Sequence, residues 1–411
     1  MSSPKLIRYR SGTAQWHMSK RAVDRAVPDV LKWSEDDCIE YIIKVRFGSR
    51  KTVACAHCNT ICDHYWRPLE KRWKCKCCGK TFSVTSGTVY ANHRKPLQLI
   101  LVTVLMWING AAGKPALELK RHFNMSYNTC YVWPQKMREA LVRGFNVGLL
   151  SGDMEMDGAH QSGYRANEKR GVPQGAQRIA SGASVTDIKS AARLTQTGNA
   201  TANKKGRGAV NPEFGNRLPK NRRLLLAVCK RSGLKGKGAC NTRVAVGIAE
   251  TPPIVEAVAK SFIAKAESYL NTDSSPAYTS LGKNFKAHRT VEHSKMLSGP
   301  NGENNNQVEE LNGRYDRLEK GTYLNIEPKY LLDYAVETAF RSDTRRISNG
   351  QQMDLAMHLA MNVGHSIFWR GFTHGTHRDF ELSHPLPMPA RSSGPKKGRK
   401  PGANLFNRLP R

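Results

Sequence analysis

Two sets of residues in this chain have types and spacings that could do chemistry, and the sharper is a set of thiols. Cys55-x-x-Cys58 and Cys75-x-x-Cys78 are separated by the 16 residues 59–74. Each CxxC pair presents two sulfurs on one tight turn, and two such pairs at this distance suit the tetrahedral preference of a zinc ion. With all four positions filled by thiolates no open site is left for catalysis, so one structural Zn2+ is expected, closing a module too small to bury its own core. Gly79 supplies the loose backbone behind the second pair. Cys62, Cys77, His57 and His64 are read as bystanders, since Cys77 lies too close to Cys75 for a second pair. Tyr65, Trp66, Arg72, Trp73 and Lys74 surround the cluster. They suit a DNA contact, with Arg72 and Lys74 as its cations, and equally a solvated face over a small aromatic core.

The second set is carboxylates. Asp157 lies near the end of a strand-like run, Met154-Glu-Met-Asp157, followed by Gly158 and Ala159; Asp273 stands where one element hands over to the next. Glu309 follows an Asn-rich turn, Asn301 to Asn306, where the sequence predicts the start of a helix. In a chain with 33 acids any one of these is by itself a surface charge or a helix cap.

The elements that must position these groups can be read from periodicity and punctuation. Ser34, followed by Glu35, Asp36 and Asp37, has the form of a cap and an acidic first turn, so an amphipathic helix should follow. Pro96 opens a helical region to about Val147, broken at 110–115 and 124–126, which predicts three helices. The last two, ALELKRHF and YNTCYVWPQKMREALV, have the grammar of a helix-turn-helix, with Ser126 or Asn128 as cap. Lys120, Arg121, Tyr127, Asn128 and Lys136 are its candidate DNA contacts, and Pro134 predicts a kink or an earlier stop. Beyond Gly152 the pattern turns β-rich at 154–159, 224–231 and 243–250, with a helix expected over 254–270 and a strand over 288–294. Residues 163–223 form a long basic insertion poor in large apolar side chains, carrying Lys204, Lys205 and Arg207. The last twenty residues contain no acid. This tail reads as extended, and its Arg399 suits an A/T-rich minor groove.

Composition limits the partners. With 65 Lys+Arg against 33 Asp+Glu in 411 residues, the formal charge is +32. Such a chain attracts polyanions by counterion release, with nucleic acid ahead of an anionic membrane surface. The longest apolar run, Leu97 to Ile108, is short of the roughly 18 to 20 residues a spanning helix needs, so no membrane association is expected. Ten cysteines behind an N-terminus without an apolar stretch point to a reducing compartment, hence a cytoplasmic, nucleoid-associated protein.

Several runs together resemble a known family. They are CKCCGKTFSVTSGTVY (75–90), ALELKRHFNMSYNTCYVW, EMDGA, Asp273 with SSPAYTSLGKNFKAHRTVEHS behind it, and NNNQVEELNGRYDRLEKGTY with YAVETAFR. In these the chain is similar to the ISXO-type zinc-ribbon transposases of bacterial insertion sequences, over about Ser34 to Arg346. The resemblance implies a multidomain chain: a small zinc ribbon and a helical helix-turn-helix region, then an α/β RNase H-like mixed-sheet catalytic domain of the DDE type. The corresponding divisions are 1–52 (helical segment), 53–90 (zinc ribbon), 91–148 (helix-turn-helix), 149–350 (catalytic, with the insertion), 351–390 (helical extension) and 391–411 (basic disordered tail). It further implies Asp157 and Asp273 as catalytic metal ligands, with Glu309 or alternatively Asn306 in third place. These acids would hold two Mg2+ or Mn2+ ions for DNA nicking and strand transfer. Double-stranded DNA, both terminal inverted repeats and target, would be the partner, with a homodimer or higher oligomer synapsing the ends. Where the family usually has a lysine seven residues after the glutamate, this chain has Asp316, and Lys320 would return to the same helical face. The alternative reading is a sequence-specific DNA-binding protein without nuclease activity, a regulator or a domesticated copy.

Overall fold

The structure is a computed structural model and describes residues 12–162, 222–233, 238–291, 304–324, 326–378 and 380–382. Lys204, Lys205, Arg207 and Arg399, with nearly all of the basic insertion and the whole tail, lie outside those residues. Two short N-terminal helices, α1 (Gly12–His17) and α2 (Val27–Val30), precede α3 (Glu35–Phe47). The expected cap is present: the Ser34 hydroxyl accepts from Asp37 N, and the Asp37 carboxylate accepts from Ser34 N at 2.8 Å. Helix α3 buries Cys38, Ile39, Ile42 and Ile43, one face at helical spacing, and ends at Gly48, whose φ of 76° leaves the helical region.

The cysteine-rich segment folds as short antiparallel pieces. β1 (Val53–Ala54) pairs β2 (Ile61–Cys62), while β3 (Tyr65–Arg67), β4 (Arg72–Lys74) and β5 (Thr81–Phe82) form a three-stranded ribbon. Strand alternation turns Trp73 inward, stacked on Phe82 at 5.6 Å and edge-on to Trp66 at 4.7 Å, and leaves Arg72 and Lys74 exposed. The small aromatic core and the cationic face therefore coexist.

Three helices follow as expected: α4 (Leu97–Asn109), α5 (Ala116–Phe123) and α6 (Tyr127–Gly144). Asn124 at φ 48° ends α5 in a left-handed turn, and the Ser126 hydroxyl, not Asn128, caps α6 by accepting from Thr129 N. Helix α6 does not stop early at Pro134 but runs through it to Gly144. Proline removes one backbone hydrogen bond there, and packing offsets the loss, since almost every residue from Cys130 to Val142 is buried. Later helices supply that packing: α9 (Leu331–Thr344) and α10 (Asn349–Asn362) lie against α6. The buried pair Arg138 Nε to Glu337 Oε2, 2.6 Å, joins α6 to α9. One core accordingly includes residues of α3, the ribbon, α4 and α6 together with one face of the sheet and α9 and α10.

The sheet has five strands in the order β10-β9-β6-β7-β8. β6 (Leu150–Ser162), β7 (Arg222–Arg231) and β8 (Ala239–Gly247) are antiparallel neighbours; β9 (Ile263–Asp273) lies parallel to β6 and β10 (Ala287–Val291) parallel to β9. α7 (Pro252–Phe262) makes the crossover that a parallel neighbour requires, packed on the second core under the sheet. This corrects one expectation: the helix expected over 254–270 ends at Phe262, and Ile263 onward is the strand that carries Asp273. The Ala, Lys and Glu content of 264–267 favours a helix locally, but pairing with β6 and burial of Ser268, Leu270, Asn271 and Thr272 prevail. α8 (Asn306–Leu318) then packs across β6 and β7.

Candidate active site

The cysteine cluster assembles from its two turns alone. The sulfurs of Cys55 and Cys78 are 3.8 Å apart, those of Cys58 and Cys75 3.6 Å, and all four lie within 4.8 Å of one another. Thiolates about 2.3 Å from one tetrahedral zinc would be separated by about 3.8 Å, so the four fit the ion. Hydrogen bonds from Thr60 pull the Cys58 thiol down to about 6, toward the thiolate a metal needs, while burial pushes Cys55 up to about 12. Cys62 stays outside the cluster, its sulfur 3.1 Å from His64 Nδ1.

The acids come together by strand register. Glu155 pairs with Asn271 across the parallel β6 and β9, so two residues further along both strands bring Asp157 beside Asp273. Asp157 is half-buried, and its carboxyl rises to about 7. Burial is the largest cause, a backbone hydrogen bond at Gly158 opposes it, and the charges of Asp273, Glu250 and Glu309 add to it. The structure thus brings Asp157, Asp273 and Glu309 within one field, and adds a fourth acid. Glu250, between β8 and α7, accepts from the Tyr278 hydroxyl at 2.6 Å; its own carboxyl is raised first by burial, with Tyr278 lowering and Asp273 raising it. Gly158 makes room for this contact: a Cβ there would sit 2.9 Å from Glu250 Oε1 and 2.8 Å from Leu224 Cδ1.

Glu309 occupies the first turn of α8, and that helix is held by groups that are not themselves in the acid set. Glu155, wholly buried, accepts from the backbone N–H of Gln307 (2.7 Å) and of Val308 (3.3 Å), so a carboxylate from β6 caps α8. Its other oxygen accepts from Arg231 Nε at 2.6 Å, and Arg231 also reaches Asp153 and the Asn304 carbonyl. Burial raises the Glu155 carboxyl, against the lowering by Arg231 and the two N–H groups. Asn305 forms the second clamp. With its amide oriented to satisfy its neighbours, its oxygen accepts from Asp273 N at 2.8 Å and its nitrogen donates to the Asn271 carbonyl at 3.2 Å. The start of α8 is thereby tied to the end of β9.

Of the two candidates for the third place, Glu309 adds its charge to the field at Asp157, while Asn306 is neutral, and both side chains are exposed. Asn306 is exposed at the helix start, its backbone N–H bonded to Asn304 Oδ1. Lys320, in the π-helical turn after α8, is exposed and paired with Asp316 at 2.5 Å. Arg72 and Lys74 on the ribbon and Lys120 and Arg121 on α5 face solvent. On α6 only the first turn, with Tyr127 and Asn128, is exposed; Lys136 is half-buried two turns on.

Glu155, Glu250 and Asn305 were not singled out in the sequence. Glu155 had a signal, since an acid two residues before Asp157 on a strand shares its face. Glu250 had none, because its place depends on where the chain leaving β8 meets Gly158 and Tyr278, residues distant in the sequence.

Residues 149–343 match the model of the ISXO2-like transposase domain. No curated protein and no solved structure matches the chain. Among the described residues no helix is long and apolar enough to cross a membrane.

Proposed function

We propose, for a chain whose residues 149–343 form an ISXO2-like transposase domain behind a four-cysteine cluster that fits an N-terminal zinc ribbon, that it is a DDE-type DNA transposase. It binds the terminal inverted repeats of its element, nicks the ends and joins the freed 3′-hydroxyls to target DNA. The observation that carries this reading is the convergence of Asp157, Asp273 and Glu309, from two parallel strands and a docked helix, where burial first and the neighbouring acids after it raise Asp157 to about 7. Carboxylates forced together in this way call for cations. These three, with Glu250 alongside, would hold divalent magnesium or manganese, which when bound supplies Lewis acidity at the phosphodiester and at the attacking oxygen. The strand order, three antiparallel strands followed by two parallel ones, supports an RNase H-like description of the domain.

The chain's own part in the chemistry is positioning. Asp157 and Asp273 stand on adjacent strands whose register fixes their separation, and Glu155 and Asn305 fix Glu309 against them. Near neutral pH Asp157 is poised between its two protonation states, so cation binding displaces a proton from it. The exposed cations of the ribbon and α5, with Tyr127 and Asn128 at the start of α6, hold DNA, and synapsis of two ends requires at least two copies.

The test is strand transfer in vitro with magnesium, using the DNA that flanks the gene as substrate. Asp157→Asn or Asp273→Asn should reduce cleavage and joining by about a thousandfold or more while DNA binding persists. Undiminished joining in either variant would refute the catalytic reading. Binding without cleavage in the parent protein would identify a DNA-binding protein instead.

A further inference from the structure

A cavity of about 740 Å³ opens between the segment after the zinc ribbon, the first turn of α6 and the loop beyond α10. It shares no lining residue with the acid cluster, and no acid lines it. Its cations are Arg94, Lys95, Lys136 and Arg370, joined by three histidines. Arg94, Lys95 and Arg370 are exposed and form the rim; Lys136 is half-buried within. Among the described residues none of these four forms a salt bridge with a carboxylate.

The interior is built to receive an anion. Asn128 and Thr129, in the first turn of the 18-residue α6, bring the positive end of that helix to the wall. Trp369, 2% exposed, lines the same cavity with its indole N–H lacking a hydrogen-bond partner, a cost a bound acceptor would remove. Burial holds the Lys136 ammonium below its ordinary value, with attraction from Glu139 opposing. A cation kept partly dry without an ion-pair partner gains from a negative ligand. The aromatic side chains Tyr90 and Trp133 are buried, so the cavity offers charge at its mouth rather than open ring faces for stacking.

We propose that this cavity is a second DNA-holding site, seating phosphate groups of the duplex backbone away from the acid cluster. An exposed cationic rim continuing into an acid-free interior suits a polyanion that extends beyond the cavity. The proposal rests on DNA being the substrate and is independent of whether the acids cut it.

The experiment uses the full-length protein without divalent metal, a labelled DNA duplex of mixed sequence, and fluorescence anisotropy over a salt series. Arg94→Ala combined with Arg370→Ala should weaken binding about tenfold or more and flatten the slope of log affinity against log salt by about 0.9 for each phosphate no longer held. Both side chains are exposed, so thermal unfolding should match the parent; Arg370→Glu alone should give a loss of the same sign. Parental affinity and slope in both proteins would overturn the proposal. So would protection of Trp369 fluorescence by inorganic phosphate with duplex binding unchanged, which would mark a small-anion pocket. Asp157→Asn run alongside keeps the two readings apart: it should bind as the parent does, and if it also cleaves, the catalytic assignment fails while the cavity is still judged by the salt slope.

Discussion

The molecule holds two clusters of side chains, four thiols that fit a metal ion and a set of carboxylates that share one field, and they are made in opposite ways. The four thiols come from residues 55–78 and are brought together by two tight turns, within a segment whose own core is three aromatic rings. The carboxylates come from residues 157, 250, 273 and 309, and meet only because β9 runs parallel to β6 and α8 docks across it. In the first cluster the ligands are themselves the structure. In the second the acids repel, Asp157 being raised by each of the others as well as by burial, and groups that take no part in that set do the holding. A closed thiolate site should therefore fail when a ligand is lost, whereas the acid site should fail when a positioning residue is lost and relax when a ligand is.

Three measurements can break or sharpen this contrast. Cys75→Ser should have the largest effect, because folding of a small metal-closed module and binding of its metal are one event. Zinc content should fall by one ion per chain, and the ribbon should lose on the order of several kcal/mol, seen as early loss of Trp73 fluorescence on heating. Retention of both would show that the aromatic core suffices without the metal.

Glu155→Gln comes next. It takes the Glu155 charge away from Arg231, which keeps Asp153 and the Asn304 carbonyl, and replaces a buried carboxylate capping α8 by a neutral amide. Breaking such a buried pair should cost about 3 kcal/mol, read from denaturant unfolding. Strand transfer should fall even under conditions where the protein remains folded. Parental transfer would mean that α8 is positioned by Asn305 and apolar packing without it.

The smallest effect is expected for Asp157→Asn in the metal-free protein, and its sign is the informative part. The folded-state value of about 7 lies above the unfolded value of about 3.9. The native state therefore binds the extra proton between these limits, and stability contributed by this group falls as pH rises from about 4 to about 7. The amide escapes that loss. The variant should be more stable than the parent at pH 8, by roughly 1 to 2 kcal/mol, with the difference vanishing near pH 4. A variant less stable at pH 8 would show that burial and the neighbouring acids do not penalise the ionised Asp157.

Much of this was legible in the sequence for reasons tied to particular residues. Ser34 with Asp37 and Ser126 announce helix starts, because a cap requires only neighbours in the chain, and β6, β7, β10 and α8 lie where apolar alternation and turn residues put them. Residues 254–270 misled because Ala, Lys and Glu favour a helix when judged by nearest neighbours, while the strand Ile263–Asp273 is chosen by β6 alongside it. Pro134 misled only in suggesting an earlier stop: a break that costs an isolated helix is offset when α9 and α10 pack around α6.

The sequence by itself determined the thiolate cluster, the basic character that selects a polyanion, and the identity of Asp157, Asp273 and Glu309 as acids worth following. Those are properties of residue type and short spacing, which act before the chain folds. Only the tertiary structure decided that the acids share one field with Glu250, that Glu155 and Asn305 hold the helix of the third, and that most of α6 is interior and offers only its first turn. Each of these depends on strand register and helix docking between residues far apart in the chain, where burial and the field of distant charges outweigh local preference.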